Sequence, residues 1–364
     1  MIRICLDTNA FHENWLAAGE AFTFIADLIA KQEGRAYVSE ITILEHMRQY
    51  QKQASAIQSG LKSSLAKYGK LFSGEVPSLP ALTNAAGFDK AFRKRIKELG
   101  IEILDVPEVP QAVLVKRDLA EKKPFTLAGK GYRDALIWLG FLAVLESDTS
   151  TAVLVTSDAN DYCGDDETTL HPDLIEEVRE KNSQCAVLRF ASPQKLVDDL
   201  IKPVLKVHAD EEAKTQRLLM KIQSNDYKFK IEDVVGEGLD NLGSHEIHGA
   251  FYAGDAALDE PLWLSSLHDP EDIEAIGLYK LSSGRYICEG TAEARATIEG
   301  FLDKFEAFDQ SVQGNVFITN ENWNEHYSEV EVSNVPCVIT FSFGFKTNSS
   351  EVEKFEVTKI ESKR

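Results

Sequence analysis

The sequence contains few cysteines, and their spacing excludes the common structural uses of this residue. Five cysteines occur in 364 residues, and no two of them form a C-x-x-C pair. An odd, scattered set argues against a disulfide framework and against a cysteine-ligated zinc site. We expect all five to be reduced and buried in a cytoplasmic protein; they are Cys5, Cys163, Cys185, Cys288 and Cys337.

Long apolar runs are also absent. The longest, Ala135 to Leu145, is well short of the roughly 20 residues that a membrane-spanning helix needs. Met1 leads directly into an apolar segment, without the basic residues and the cleavage site that are typical of a signal peptide. We therefore expect neither a signal peptide nor a membrane partner.

Positive charge is scarce as well. Lys and Arg total 39 against 59 Asp and Glu, which gives a formal net charge of −20. This balance excludes indiscriminate binding of nucleic acid through bulk electrostatics. The acid is unevenly distributed: residues 241–364 hold 22 acidic and 9 basic residues, a net charge of −13 that leaves −7 for the first 240. Any polyanion should therefore bind the N-terminal part, on a local basic patch.

What the N-terminal part does contain is a regular alternation of predicted strands and helices. Apolar runs such as Ile2 to Leu6 and Ala152 to Thr156 have the composition of buried strands, and amphipathic helical segments separate them. This order is typical of an α/β domain, in which helices flank a parallel, doubly wound sheet of four or five strands. We predict this domain for residues 1–207.

The pattern changes after Val207. Residues 208–245 predict a helical connector followed by a linker rich in Gly and Asp. Residues 246–364 predict an acidic α+β or mostly β domain with one helix from Ala292 to Phe305. This C-terminal domain shows no motif that indicates a specific chemistry.

Four acids stand near the ends of predicted elements in the first domain. Asp7 and Asp158 each follow a strand, and Asp134 lies in the first turn of an apolar helix. The carboxyl ends of parallel strands meet at one edge of the sheet, where open α/β sheets bind their ligands. The fourth acid, Glu45, lies in the second turn of another predicted helix.

Each of these acids also has an ordinary structural explanation. Asp7 and Asp158 occupy turn positions from which an aspartate caps the following helix. Glu45 could be a solvated residue paired with Arg48. Asp134 is harder to explain in this way, because it shares a helical stripe with apolar residues, and a core-facing carboxylate is costly unless it is paired or metal-bound.

The combination of acids is more informative than any one of them. Carboxylates that converge within a few ångströms repel one another unless a cation neutralises them. A hard divalent ion suits an oxygen-rich site without His or Cys, which indicates Mg²⁺ or Mn²⁺. Such an ion can activate water and stabilise the charge that develops during phosphodiester hydrolysis. Asp161 could serve as a further ligand, as an acceptor beside the site or as a helix cap.

Four segments together resemble the motifs of a known family. In chain order they are ICLDTN (4–9), VSEITILEH (38–46), GKGYRDALIW (129–138) and VLVTSDANDY (153–162). This set resembles the PIN-like nuclease superfamily, and in particular its larger bacterial members with an RDA-type third motif. The resemblance extends over about residues 1–205. It implies a parallel sheet between layers of helices and the activity of a metal-dependent endoribonuclease.

The resemblance also implies a role for individual residues. The catalytic and metal-binding acids would be Asp7, Glu45, Asp134 and Asp158, with Asp161 as an auxiliary metal ligand. Residues that position the substrate would be Thr8 and Asn9 after the first acid, and Lys130 and Arg133 beside the third. RNA is the expected substrate ahead of DNA, and the C-terminal domain is left as a surface for a protein partner or for self-association.

Further basic residues lie at Arg93 to Lys97 and at Lys122 and Lys123, where they would either contact an RNA backbone or form solvated helix faces. Two other functions fit parts of the pattern. A non-catalytic PIN-like module would bind RNA or protein without cleaving it. A phosphatase of the haloacid dehalogenase type also starts from a strand ending in Asp, but it needs a second Asp where Asn9 stands.

Overall fold

The chain folds into two compact units, Met1–Leu205 and Lys206–Arg364. The structure, a computed structural model, describes residues 1–12, 14–71, 85–126, 129–164, 169–205, 209–240, 245–247, 251–253, 256–314, 316–320, 325–347 and 349–363. The predicted domain boundary at residue 207 falls on residues 206–208, which lie outside these ranges. Within them, no helix is both long enough and apolar enough to cross a membrane, and all five cysteines are buried and outside any disulfide.

Five short strands form a parallel sheet in the first unit. They are β1 (Ile2–Leu6), β2 (Gly34–Ser39), β3 (Glu102–Leu104), β4 (Thr151–Val155) and β5 (Ala186–Phe190). Their order in the sheet is β3-β2-β1-β4-β5, and all four pairings are parallel. β1 is buried along its whole length, as expected for a central strand that is covered on both faces. The predicted parallel sheet is confirmed.

Helices connect these strands. They are α1 (Glu20–Ala30), α2 (Glu40–Leu71), α3 (Ala85–Glu98), α4 (Gln111–Leu119), α5 (Tyr132–Val144), α6 (Ala159–Tyr162), α7 (Pro172–Lys181), α8 (Pro193–Leu196) and α9 (Lys202–Leu205). A π-helical segment, Val197–Ile201, joins α8 to α9. A short 3-10 helix, Thr8–Phe11, follows β1. Ser39 caps the N-terminus of α2, since its Oγ accepts a hydrogen bond from the backbone N–H of Ile41 (3.2 Å).

The order of the strands reverses next to β1. β2 and β3 lie on one side of β1, whereas β4 and β5 lie on the other. Connections that leave adjacent strands at such a switch point diverge and leave a crevice at the carboxyl edge of the sheet. The register pairs Leu6 of β1 with Val155 of β4. The next residues of the two strands, Asp7 and Thr156, therefore lie side by side at this edge.

Helix α5 brings Asp134 to the same edge. Gly131 precedes the helix with a φ of 100° in the left-handed region, which favours glycine. A Cβ atom at this position would lie 2.2 Å from the carbonyl oxygen of Pro124, so a larger residue would force the backbone to move. After Asp134 the helix is mostly buried; its core residues include Ala135, Leu136, Ile137, Trp138 and Phe141.

The second unit is built on antiparallel strands. They are β6 (His245–Ile247), β7 (Tyr252–Ala253), β8 (Ala256–Ala257), β9 (Asp259–Lys280), β10 (Arg285–Asp303), β11 (Phe317–Asn320), β12 (Tyr327–Lys346) and β13 (Val352–Ser362). The main sheet has the order β11-β12-β10-β9-β6, and β13 also pairs with β12. Three helices accompany the strands: α10 (Ala209–Gln223), α11 (Ile231–Asp240) and α12 (Lys304–Val312). The predicted sheet-rich C-terminal part is confirmed.

The helix predicted from Ala292 to Phe305 is wrong. These residues belong mainly to β10, and the helix of this region, α12, starts only at Lys304. Along β10 buried and more accessible residues alternate, and the strand pairs with β9 on one side and with β12 on the other. Alanine, glutamate and arginine favour a helix locally, but two-sided strand pairing and a buried face override this preference.

The predicted connecting helix is present as α10, whereas part of the predicted Gly-rich linker is helical. Helices α10 and α11 lie in the second unit, and their residues Leu219, Ile222, Val235 and Leu239 join its hydrophobic core. The Gly-rich composition of residues 234–240 predicted flexible chain. The apolar residues nevertheless repeat at helical spacing, and their burial against the sheet stabilises a helix despite two glycines.

Candidate active site

Asp7 is a buried carboxylate at the switch point of the sheet, with only 3% of its surface exposed. Its Oδ1 accepts a hydrogen bond from the backbone N–H of Thr8 (2.7 Å), and its Oδ2 accepts one from the hydroxyl of Thr156 (2.8 Å). Burial and, to a smaller extent, the nearby charges of Glu45 and Asp158 outweigh the two hydrogen bonds and together raise the pKa of Asp7 to about 6. Asp7 therefore caps the 3-10 helix and also lies in a strongly negative environment.

Glu45 reaches this edge from α2. Its Oε2 accepts a hydrogen bond from the hydroxyl of Thr8 (2.9 Å), and its Oε1 forms an ion pair with the guanidinium of Arg133. The side chain of Glu45 is 18% exposed, whereas that of Arg133 is 58% exposed. Glu45 is thus neither solvated nor paired with Arg48. The Glu45 carboxylate is held between Thr8, which follows Asp7, and Arg133, which precedes Asp134.

Asp134 faces the same cluster from the first turn of α5. Burial raises its pKa to about 7, and the charges of Asp7, Asp161 and Glu45 act in the same direction. The hydroxyl of Tyr162 donates a hydrogen bond to the backbone carbonyl of Asp134 (3.3 Å). This contact links the start of α5 to the short helix that follows β4.

Asp158 and Asp161 come from the loop and short helix after β4. The Asp158 side chain caps α6 by accepting a hydrogen bond from the backbone N–H of Asp161 (3.0 Å). The hydroxyl of Thr156 accepts a hydrogen bond from the Asp158 N–H (3.1 Å) while it donates to Asp7. Burial and the charge of Asp158 raise the pKa of Asp161, and the charges of Lys123 and Lys130 oppose that rise. Thr156 therefore links Asp7 to Asp158 through these two hydrogen bonds.

The remaining predicted residues lie around these acids. Asn9 is half-buried in the 3-10 helix beside Thr8. Lys130 is exposed, and its effect on the pKa of Asp161 places its charge close to that carboxylate. Arg133 borders the cluster through its ion pair with Glu45. The sheet and α5 thus bring the five predicted acids within electrostatic range of one another.

The type of donor fits a hard divalent cation, since the acids supply only oxygen atoms and mutually raise their pKa values. The distances between these acids in the structure do not fit such an ion. Among the described residues, no three His, Cys, Asp or Glu side chains are close enough to one another to hold a metal ion. The ion pair with Arg133 occupies Glu45. Metal binding would therefore require Glu45 to leave Arg133 and turn toward Asp7.

These raised pKa values predict how stability depends on pH in the absence of metal. A carboxyl whose folded-state pKa lies above its unfolded value favours folding at low pH, and this advantage is lost as pH rises through the folded-state pKa. Asp134→Asn removes the free-energy cost of an ionised carboxylate at position 134. The variant should gain about 1 to 3 kcal/mol over the unaltered protein between pH 4 and pH 8, after allowance for solvent screening.

Urea unfolding in EDTA at several pH values measures this difference. The titration of the buried His46, whose pKa is lowered by burial, is common to both proteins and cancels. A constant difference across the range would show that the pKa of Asp134 is not raised in the folded protein. Addition of Mn²⁺ at pH 8 should stabilise the unaltered protein more than the variant.

Two features of the site were missed by reasoning from sequence. Thr156 could have been found, because a strand that pairs with β1 in parallel places its next residue beside Asp7. A buried network around Glu177 on α7 could not. Glu177 forms an ion pair with Arg117, binds Lys122 (2.8 Å) and accepts a hydrogen bond from the indole N–H of Trp138 (2.8 Å). It anchors α5 one turn beyond Asp134.

Several basic residues that the sequence suggested as RNA contacts form contacts within the protein instead. Arg93 pairs with Glu40 (2.5 Å) and with Asp89 (2.7 Å). Lys122 binds Glu177, and Lys123 donates a hydrogen bond to the carbonyl of Asn160. Lys94 lies near Glu98 (3.6 Å) but stays 77% exposed. On α3, Arg93 is thus held by carboxylates, whereas Lys94 and Lys97 remain exposed.

Comparison with known families agrees with this geometry. Residues 4–162 match a family model described as a PIN domain, and this stretch contains all five acids. No match was found among curated proteins or among solved structures. PIN domains are in general metal-dependent nucleases. The parallel five-stranded sheet flanked by helices agrees with this match, and both support a PIN-like domain within the first unit of this chain.

Proposed function

We propose that this protein is a metal-dependent endoribonuclease that hydrolyses phosphodiester bonds in RNA. The observation that carries the proposal is Asp7, a carboxylate buried at the switch point whose pKa is raised to about 6 by burial and by neighbouring acids. Such a group is costly in a structural role. Perturbed carboxylates at the carboxyl edge of a parallel sheet are instead typical of functional sites.

In this proposal the acids have distinct positions. Asp7, Glu45, Asp134 and Asp158 are the catalytic and metal-binding residues, and Asp161 is a further ligand. Mg²⁺ or Mn²⁺ bound there would supply an activated water and positive charge beside the phosphate. Thr156 holds Asp7 and Asp158 in register with each other through its two hydrogen bonds. Thr8 contacts both Asp7 and Glu45, since its backbone N–H donates to Asp7 and its hydroxyl donates to Glu45.

The substrate-positioning residues follow from the same contacts. Arg133 is largely exposed and paired with Glu45, so it can exchange this carboxylate for a phosphate when Glu45 binds metal. Lys130 is exposed and its charge acts on Asp161, so it would bind a phosphate beside that carboxylate. Asn9, next to Thr8, completes the polar rim. RNA is proposed ahead of DNA, on the resemblance of the motifs to ribonucleases of this superfamily.

A cleavage assay tests the proposal. The purified protein is incubated with 5′-labelled RNA and with DNA of the same sequence, in Mn²⁺, in Mg²⁺ and in EDTA. We expect internal cleavage of the RNA in Mn²⁺ or Mg²⁺, weaker cleavage of the DNA, and intact substrate in EDTA. Products that shorten only from one end would contradict an endonuclease, and cleavage in EDTA would contradict metal dependence.

A second candidate is a non-catalytic PIN-like module that binds RNA or a protein. The ion pair that occupies Glu45 favours it, as does the separation of the described acids. This candidate predicts binding that is indifferent to chelator and to Asp134→Asn. The same assay separates the two, because a module without catalysis leaves every substrate intact in the presence of metal.

A further inference from the structure

The long helix α2 carries a run of sequence that is exceptional in this acidic chain. Residues 46–74 contain no Asp or Glu but five Lys or Arg, in a protein of net charge −20. Most of this run belongs to α2, which extends from Glu40 to Leu71. Only Glu40 and Glu45 are acidic in the helix, and both lie in its first two turns. Beyond Glu45 the helix is therefore a local basic surface that starts at the acid cluster.

A cleft lies where this basic surface meets the acid cluster. It has a volume of about 270 Å³ and is lined by Glu45, Arg48, Gln49, Lys52 and Arg133. Four of these residues are on α2 at spacings of three, four and seven from Glu45, so they share one face of the helix. Arg133 closes the opposite side from α5. The cleft thus joins a proposed catalytic acid to three cations.

The cations on this face are available to a ligand. Arg48, Lys52 and Lys67 are exposed, and none of them forms an ion pair with another residue in the described part of the chain. This differs from Arg93 and Arg117, which are held by carboxylates. Unpaired cations clustered on one face of an acidic protein are the expected mark of a local site for polyanions.

The same face continues along the helix to Lys67. At about 100° per residue, Ala56, Ser59 and Ser63 fall on the line between Lys52 and Lys67. All three are small and exposed, so nothing on this line protrudes. Lys52 and Lys67 are separated by about 22 Å along the axis, which a stacked strand spans with about six phosphates at ~3.4 Å each.

We propose that this strip, defined as Arg48, Gln49, Lys52 and Lys67, binds the sugar-phosphate backbone of single-stranded RNA and leads it to the acid cluster. The inference rests on the proposed function, since it assigns the path of that substrate. The cations form a single row, which matches one strand of phosphates. With three cations in contact, the slope of log K against log salt concentration should be about −2 for a single strand.

Binding without cleavage tests the strip separately from catalysis. All proteins carry Asp134→Asn and are measured in EDTA by fluorescence anisotropy with labelled oligouridylates of 3 and 16 nucleotides, of which only the longer can span the distance from Lys52 to Lys67. Lys52→Ala should weaken binding of both probes by about 3- to 10-fold at low salt and reduce the salt slope by about 0.7. Lys67→Ala should weaken binding of the 16-mer alone, because the short probe does not reach it.

Lys62→Ala provides the matched control. Lys62 is exposed on the same helix but points about 80° away from Lys52 and about 140° away from Lys67 around the axis, and its replacement should change binding less than 2-fold. An equal effect of Lys62→Ala and Lys52→Ala would overturn the strip and leave only general electrostatics. Failure to bind either probe at low salt, or binding unaffected by Lys52→Ala and Lys67→Ala, would also overturn it.

The two proposals fail in different ways. RNA cleavage that requires Asp134, together with binding that does not require Lys52 or Lys67, would overturn the strip and keep the nuclease. Binding that depends on Lys52 and Lys67, in a protein that leaves RNA intact in Mn²⁺ and Mg²⁺, would support the strip and overturn the nuclease.

Discussion

Replacing Asp7 or Asp134 with asparagine should reduce RNA cleavage by about 100-fold or more while the protein remains folded. Asparagine keeps the size of the side chain and removes the negative charge that a divalent ion requires. Loss of a single charged group at a reacting centre commonly lowers the rate by this order. The initial rate of cleavage of a labelled RNA in Mn²⁺ measures the effect.

The matched control for these variants is Asp199→Asn, which removes an exposed carboxylate from the π-helical segment of the same unit. It should retain the activity of the unaltered protein within about 2-fold. Circular dichroism and urea unfolding verify that each variant is folded. Asp134→Asn should be at least as stable as the unaltered protein in EDTA, because it removes a buried charge. A folded Asp134→Asn protein with full activity would contradict the proposed mechanism.

Glu177→Ala should destabilise the first unit by about 3 to 5 kcal/mol. Glu177 is buried, and so is Arg117; removal of the carboxylate leaves a buried guanidinium without its counter-charge. The indole N–H of Trp138 also loses its acceptor. Burial raises the pKa of Glu177, but the hydrogen bonds from Arg117, Lys122 and Trp138 outweigh it, so the pKa is lowered overall. This contribution to stability is present above the unfolded pKa of about 4.3 and is lost as pH falls below it.

Urea unfolding at pH 7 measures this loss. The neighbouring Glu176 is exposed on the same helix, so Glu176→Ala serves as the control and should change stability by less than about 0.5 kcal/mol. Glu177→Gln should fall between the two, because it retains an acceptor for Trp138 but loses the charge. Equal stability of the Glu177→Ala and Glu176→Ala proteins would show that the network does not hold α5 in place.

The elements that could be predicted from sequence are those specified by local pattern. The apolar run of β1 ends at Asp7, and the run of β4 ends shortly before Asp158, so parallel pairing alone brings these acids to one edge. Asp134 can be recognised from the sequence because a carboxylate in an apolar helix is costly unless it is paired or metal-bound. The sheet and the acids near its carboxyl edge follow from these patterns without any knowledge of the tertiary contacts.

The partners of these residues could not be predicted, because they are far apart in the sequence. Arg133 and Glu45 are 88 positions apart and meet only through the packing of α5 beside α2. Glu177 meets Arg117 across 60 residues. In the second unit, the composition of residues 292–303 predicts a helix, and only the pairing of β10 with β9 and β12 decides otherwise. In β10, pairing with distant strands thus overrides the local preference for a helix.

The two strands that carry Asp7 and Thr156 have a consequence for biosynthesis. They are direct neighbours in the sheet, yet 149 residues separate the donor and the acceptor of their shared hydrogen bond. A polypeptide emerging from the ribosome exposes its N-terminal strand well before β4 has been made, and domains generally complete their folding as units. The nascent chain therefore lacks both Thr156 and Asp158 at this stage, and the Asp7 carboxylate stays without its hydroxyl donor until 149 further residues have been synthesised.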